Sequence, residues 1–296
     1  FMYRNFGFCK SDGYSGFMTP NVWMFISSYE KLRRYLIEEK SVSVCVQLAK
    51  GAFFKEATVD ICAFVLKNKP GVTGVYTRLE NFKGDMDVQE RKLLDAIHGD
   101  GSYTFYRDMD SFWRIEGNPF AYWISDRFAT VFETAEPLSK VAPPKQGLAT
   151  ADNNRFLRLW FEPIISNIGF DIDSCGSAEK SGLKWFPYNK GGEFRKWYGN
   201  NDFVVNWENL GDRIFNHAKA DGRHVQDYPL ELKFVPTLSW SLITSAKPAF
   251  RYKEGNLSDI AGMSLFTDRD SVIRYLGLLN SCVALDILQM LAPTIN

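Results

Sequence analysis

Three apolar runs of strand length, spaced by one helix and one loop, fall within residues 14–67 and constrain the fold more than any other feature of the chain. Residues 14–19 (YSGFMT) form a short run closed by Pro20. Ser27 and Ser28 offer a cap for a helix over residues 29–39 (YEKLRRYLIEE). Residues 42–48 (VSVCVQL) and 59–66 (VDICAFVL) are too apolar for strands with one wet face, so they predict strands buried in a sheet. Strand, helix, strand, loop, strand is the closing third of a doubly wound α/β sheet rather than a whole one. Residues 1–8 (FMYRNFGF) read as the apolar face of an element already under way, so the chain is expected to be excised from something longer.

Beyond Lys69-Pro70 the pattern changes. Residues 71–115 read as a connector: β-formers mixed with glycine, a charged helix over residues 87–97, a break at residues 98–101 (HGDG), and an aromatic strand pair over residues 103–113. An aromatic-rich region opens at residues 117–127 (GNPFAYWISDR), which sets the expected boundary near residue 115. Near the end, residues 268–291 are a helical pattern interrupted around Gly277 and Asn280-Ser281.

Composition narrows the function classes. At 296 residues, with 35 basic and 35 acidic side chains, the chain has zero net charge, so any nucleic-acid surface must be local. The five cysteines are scattered, which fits neither a disulfide framework nor a zinc knuckle and suits a reducing cytoplasm. No run approaches the roughly 18 to 20 apolar residues of a membrane span, so no membrane partner is expected. His217 and His224 lack a cysteine partner, and no metal is expected. A Gly-x-Ser-x-Gly elbow is absent, so an independent hydrolase has no support, and Asp171 and Asp173 read as a polar turn.

Residues 16–34 (GFMTPNVWMFISSYEKLRR), 51–66 (GAFFKEATVDICAFVL) and above all 184–199 (KWFPYNKGGEFRKWYG) resemble the adenine-specific DNA methyltransferases of BREX phage-defence systems, the PglX proteins, and related single-chain restriction-modification enzymes. The resemblance covers nearly the whole chain. It implies the end of a Rossmann-like class I methyltransferase sheet in residues 1–70, followed after the connector by an α+β target-recognition domain in residues 116–296. The parent would use S-adenosylmethionine, bound at a glycine-rich turn, and hold the target adenine with an Asn-Pro-Pro-Tyr motif. Neither motif occurs in this sequence, so no cofactor is expected on this chain and it is not expected to methylate alone. The implied partners are double-stranded DNA and other phage-defence proteins.

An enzyme acting on a base within a duplex must extrude it, and aromatic stacking usually holds the extruded ring. The resemblance places that role on Phe54, with Phe53 as its neighbour; anchoring of the loop by both rings is the equal alternative. Candidate DNA contacts come in clusters. In residues 146–158 (QGLATADNNRFLR), Asn153, Asn154 and Arg155 have side chains suited to base edges or phosphates, or else form a capped turn. Relatives carry a similar Gly-Leu-x-Thr-x-Asp-Asn pattern, with glycine common where this chain has Ala151. In residues 184–198, Lys184, Lys190, Arg195 and Lys196 alternate with aromatics; the cations are better contacts than the tryptophans, which a small β core could absorb, and a direct base contact is expected of Arg195, whose guanidinium can pair with guanine. Lys247 and Arg251 flank a hairpin pattern over residues 239–252. Residues 206–223 read as an exposed helix with a loop. A platform for protein partners in a phage-defence complex is the competing reading, to which the neutral charge lends weight.

Overall fold

The computed structural model describes residues 1–53, 59–99, 101–243 and 247–291. They fall into two compact units, Phe1–Glu136 with Met290 and Leu291, and Pro137–Gln289. In the first, α1 (Met2–Asn5), β1 (Tyr14–Pro20), α2 (Glu30–Glu39), β2 (Ser41–Gln47), β3 (Ile61–Lys67), β4 (Gly74–Arg78), α3 (Met86–Ile97), β5 (Thr104–Arg107) and α4 (Asp126–Thr134) follow in order. The sheet runs β1-β3-β2-β4-β5. Only β2 and β4 pair in parallel, so the sheet is mixed, with helices beside it. β3 is apolar from Ile61 to Leu66 because it is flanked by β1 and β2 and alternates between two cores. Cys62, Phe64 and Leu66 join Trp23, Leu36 and Ile37 on one side, and Ile61 joins Leu48 and Leu79 on the other.

Three features of this unit differ from the sequence expectations. Residues 71–115 are no mere connector, since they supply β4 and β5 and complete the sheet. The second strand expected within residues 103–113 is instead a 3-10 turn, Met109–Arg114. The aromatic run after residue 116 also belongs to the first unit. Phe120 and Tyr122 are fully buried in its core, Phe112 stacks on Phe120 at 4.4 Å, and Tyr76 stacks on Tyr122 at 4.7 Å. The division therefore falls between Glu136 and Pro137, not near 115. Aromatic density reads as a new region in sequence but can equally be the far half of an existing core.

A buried cation fastens this unit. Arg33 on α2 is 1% exposed, and its guanidinium donates to the carbonyls of Trp23 (3.0 Å) and Ile26 (2.7 Å) and twice to that of Gly117 (2.6 and 3.1 Å). The carbonyls of Trp23 and Gly117 have no backbone donor, that of Ile26 has one in the Tyr29 amide (3.0 Å), and the planar five-donor fork reaches all three.

The second unit is α+β. In order come α5 (Leu138–Val141), β6 (Pro144–Lys145), α6 (Asn153–Phe156), β7 (Leu157–Leu159), α7 (Cys175–Ser181), β8 (Trp185–Asn189), β9 (Phe203–Asn206), α8 (Asp212–Ala220), β10 (Thr237–Ser241), β11 (Arg251–Lys253), β12 (Leu257–Ser258), β13 (Gly262–Phe266), α9 (Arg269–Leu279) and α10 (Cys282–Leu291). They make two four-stranded sheets, β11-β10-β13-β6 and β12-β8-β9-β7. The expected hairpin over residues 239–252 is the antiparallel pair β10 and β11. Asp268 caps α9 through the amide of Ser271, and α9 meets α10 at 74° across Asn280-Ser281. Asn280 accepts from the amide of Phe250 (3.1 Å) and donates to its carbonyl (2.9 Å), locking the break onto the segment that enters β11. Among the described residues no single helix is long and apolar enough to cross a membrane.

Replacing Arg33 by Met should orphan the carbonyls of Trp23 and Gly117 and cost about 2 kcal/mol or more of stability. Urea unfolding followed by tryptophan fluorescence, to which the buried Trp23 contributes, measures it; an unchanged midpoint would contradict the fastening role.

Candidate nucleic-acid interface

The segment with the Gly-Leu-x-Thr-x-Asp-Asn pattern is fully accounted for by local geometry. A Cβ at Gly147 would lie 1.9 Å from the carbonyl oxygen of Ser258, because the amide of Leu148 bonds that oxygen at 2.7 Å. Leu148 is fully buried, and Thr150 donates to Oδ1 of Asn153 at 2.6 Å. Ala151 has φ +61°, which favours glycine, and its carbonyl accepts from Arg223 at 2.9 Å. Asp152 caps α6 through the amide of Arg155. The capped-turn reading therefore holds for Asn153, and Asn153, Asn154 and Arg155 are all exposed on α6.

The turn delivers Arg155 to the edge of a groove of about 610 Å³ between α6, β7, β8 and α8. Arg155, Arg158, Lys184, Arg213 and His217 line it beside Trp185, Phe156, Asn206, Asn216 and Ala220. None of these residues is acidic, so a chain with no net charge concentrates four permanent cations in one depression. Trp185 organises two of them: the Arg158 guanidinium lies 5.7 Å and the Lys184 ammonium 5.5 Å from its ring centre. Arg158 also donates to the carbonyls of Asn154 (2.8 Å) and Leu157 (2.5 Å). Arg213 is 64% exposed and has Glu208 3.6 Å away, a weak tether in water. His217 faces Arg155 through Nδ1 (3.4 Å), while its Nε2 lies 3.6 Å from Asp152 and 3.7 Å from Asp221. The Arg223 guanidinium first, and then His217, hold the Asp221 carboxyl below the usual carboxylate range.

The loop between β8 and β9 holds the most distinctive sequence and is built on different logic. Its backbone is pinned by β11. Arg251, 1% exposed, donates to the carbonyls of Arg195 (3.3 Å) and Ala249 (3.4 Å) and to Oγ of Ser241 (3.2 Å). The Lys253 ammonium donates to the carbonyls of Gly199 (2.7 Å) and Asn200 (2.9 Å) and to Oδ1 of Asn201. Trp197 joins as a one-residue bridge: its amide donates to the Phe250 carbonyl and its carbonyl accepts from the Tyr252 amide, both at 2.9 Å.

The expected contacts thus separate. Arg155 and Lys184 meet in the groove. Arg195 is exposed, Lys190 lies 5.9 Å from the Phe203 ring centre, and Lys196 donates to the carbonyl of Asn280 at 3.0 Å. Lys247 is exposed beside the same loop. Arg251 is corrected: buried and spent on backbone, it is closed to a duplex. Phe53 is 42% exposed, and Phe54 lies outside the described residues. Sequence reasoning misses Arg158, hidden in a strand pattern, and Arg213, although Arg213 and His217 at i and i+4 already signalled a shared helix face. Asp173 accepts from the hydroxyls of Ser174 and Ser177 at the start of α7, the polar turn expected of it.

Fold and site together define a mixed α/β chain with a local cationic groove. The family described as Eco57I restriction-modification methylase matches residues 1–54. The whole chain aligns at 32% identity with an adenine-specific methyltransferase PglX of Lacticaseibacillus casei (strain Zhang) and at 30% with an adenine-specific methyltransferase BrxX of Escherichia coli O9:H4 (strain HS). Over its whole length the chain is similar to a segment of each of these two proteins, and it spans 25% and 24% of their lengths. In fold it is similar to the Type IIL restriction-modification enzyme MmeI, solved in complex with DNA, at a TM-score of 0.50 and 10% identity over 90% of this chain and 35% of that one.

Two outcomes follow from this geometry. Ala151→Gly should stabilise by about 0.5 to 1 kcal/mol, because the left-handed cost to alanine exceeds the extra unfolded-state entropy of glycine, whereas Gly147→Ala should destabilise by about 1 to 3 kcal/mol through overpacking against Ser258; thermal unfolding of both variants checks the pair. Burial first, and then the neighbouring Arg251, push Lys253 down to about 7. The unfolded chain then binds more protons than the native one between that value and the ordinary lysine pKa of about 10.4, so Lys253 makes stability rise with pH across this window. Unfolding free energies measured from pH 7 to 10 should show that slope in the wild type and lose it in Lys253→Met.

Proposed function

We propose that this chain is the DNA-recognition portion of an adenine-specific, S-adenosylmethionine-dependent DNA methyltransferase of a phage-defence or restriction-modification system. The first unit, on this reading, carries the closing strands of the class I methyltransferase sheet, and the second reads the duplex. The observation that carries the proposal is the groove in which Arg155, Arg158, Lys184 and Arg213 converge without an acidic neighbour in its lining. Phosphate neutralisation needs such a local field, since the chain as a whole supplies none. The fold likeness to MmeI supports a duplex as the partner.

Within the groove, Arg158 and Lys184 are held against Trp185 and would grip phosphates as fixed charges. Arg155, exposed at the lip beside His217, has the guanidinium fork that pairs with a guanine edge, so base readout falls to it. Arg195 and Lys247, exposed on and beside the loop between β8 and β9, would add a second backbone contact.

A second reading, a platform for other phage-defence proteins, is favoured by one observation. Trp160, Phe161, Ile164, Ile165 and Phe170 are all 44 to 76% exposed within one short segment, an apolar surface of the kind that meets protein partners.

Fluorescence anisotropy of the chain with labelled duplex across a salt series tests the first reading. Affinity should fall log-linearly with salt, and Arg158→Ala and Lys184→Ala should each reduce the slope by about 0.9. Arg155→Ala should instead narrow the difference between specific and random duplex. A salt-independent interaction, or none at low salt, would leave the platform reading.

A further inference from the structure

The second unit contains a pocket of about 350 Å³ distinct from the cationic groove. Its rings include Trp160, Phe170, Tyr198 and Tyr252, and its polar groups include the amides of Asn201 and Asn256. Trp160, Phe170 and Tyr198 are 44%, 45% and 72% exposed, so they line the pocket without forming a core of their own. The pocket is also firmly built. Tyr252 donates to Oε2 of Glu254 at 2.7 Å, which Arg269 in turn grips at 2.9 and 3.2 Å. The Lys253 ammonium is consumed in holding Gly199, Asn200 and Asn201, and so fixes the segment that follows Tyr198. Asn256 is 6% exposed, and its Oδ1 has no hydrogen-bond partner in the protein.

The pocket and the cationic groove share one sheet. Across β7, β9 and β8 the register aligns Arg158 with Val204 and Val204 with Pro187, and the next pair toward the groove is Trp185 with Asn206. Arg158, Trp185 and Asn206 line the groove, whereas Val204 and Pro187 line the pocket. These five positions point to the same side by strand alternation, so the two depressions adjoin there; the pocket also reaches Tyr188 and Phe203, the next pair along, which face the other side. A polyanion bound along the groove would pass the mouth of the pocket.

Aromatic walls suit the two faces of a planar heterocycle, and amide groups suit its hydrogen-bonding edge. An aliphatic ligand would gain nothing from the amides, and a free phosphate has no unspent cation here. We infer that this pocket receives one unstacked nucleobase from the strand whose phosphates occupy the groove. This inference rests on the duplex-binding reading. It assigns a base site in the second unit, whereas Phe53 belongs to the first.

The test compares two otherwise identical duplexes, one fully paired and one in which a single 2-aminopurine lies opposite an abasic site and is cheap to extrude. A single-stranded trinucleotide with central 2-aminopurine is the third probe. All three are titrated by anisotropy against the wild-type chain, Trp160→Ala, Tyr198→Ala and Arg158→Ala. The wild type should bind the abasic duplex about ten-fold more tightly than the paired one, from the stacking of one base. Trp160→Ala and Tyr198→Ala, both at exposed rings, should erase that preference and leave paired-duplex affinity intact, while Arg158→Ala weakens both duplexes alike. Equal binding of the two duplexes, or a preference that survives both aromatic variants, overturns the pocket and leaves the groove standing. If neither duplex binds, the groove reading fails and the trinucleotide decides: wild-type binding lost in the aromatic variants upholds a base site, and no binding overturns it.

Discussion

The second unit depends on two buried cations of a three-residue strand. Arg251 and Lys253 project from β11 and spend their protons on carbonyls of the loop between β8 and β9, which has no strand of its own to satisfy them. An unpaired buried carbonyl costs on the order of 1 to 3 kcal/mol, so a long irregular loop is stable only if something donates to it. Charged donors do this better than neutral ones, at the cost of their own desolvation. That cost shows in the depressed proton affinity of both side chains. Arg33 solves the same problem in the first unit, where the irregular backbone around Trp23, Ile26 and Gly117 converges on one guanidinium.

Fixing the loop has functional consequences. Arg195 is exposed because the backbone beneath it is held down, and Tyr198 overhangs the pocket for the same reason. The groove arises separately, from a tight turn at residues 147–152 that places α6 against α8. Its cations are oriented by packing: Trp185 holds Arg158 and Lys184, while His217 and its two carboxylates back Arg155. Electrostatic attraction is thus confined to a place where side chains are already ordered, which limits the entropy lost when a polyanion docks.

The sequence signals differed in quality according to whether their cause is local. The strands at β1, β2 and β3 and helix α2 were legible because burial on a sheet imposes apolar runs and an i, i+3, i+4 stripe at Arg33, Leu36 and Ile37. β4 and β5 were obscured because short strands among glycines resemble a connector, and Phe120 and Tyr122 seemed to open a new region when they close an old core. In the site, Lys184 and Arg155 were visible as exposed cations. Arg251 looked the same in sequence, and nothing local distinguishes a buried arginine that serves backbone from an exposed one that serves a ligand.

By itself, then, the sequence determined the α/β character of the first 70 residues, the resemblance to adenine-specific methyltransferases, and the need for any charged surface to be local, since these follow from periodicity, motif and composition. Tertiary structure decided where the units divide, which cations converge and which are consumed inside. Convergence in the groove joins residues 155, 158, 184 and 213, and capture of the loop joins 195 to 251 and 199 to 253. Such pairings are set by strand register and the packing of distant segments, which leave no periodic trace along the chain.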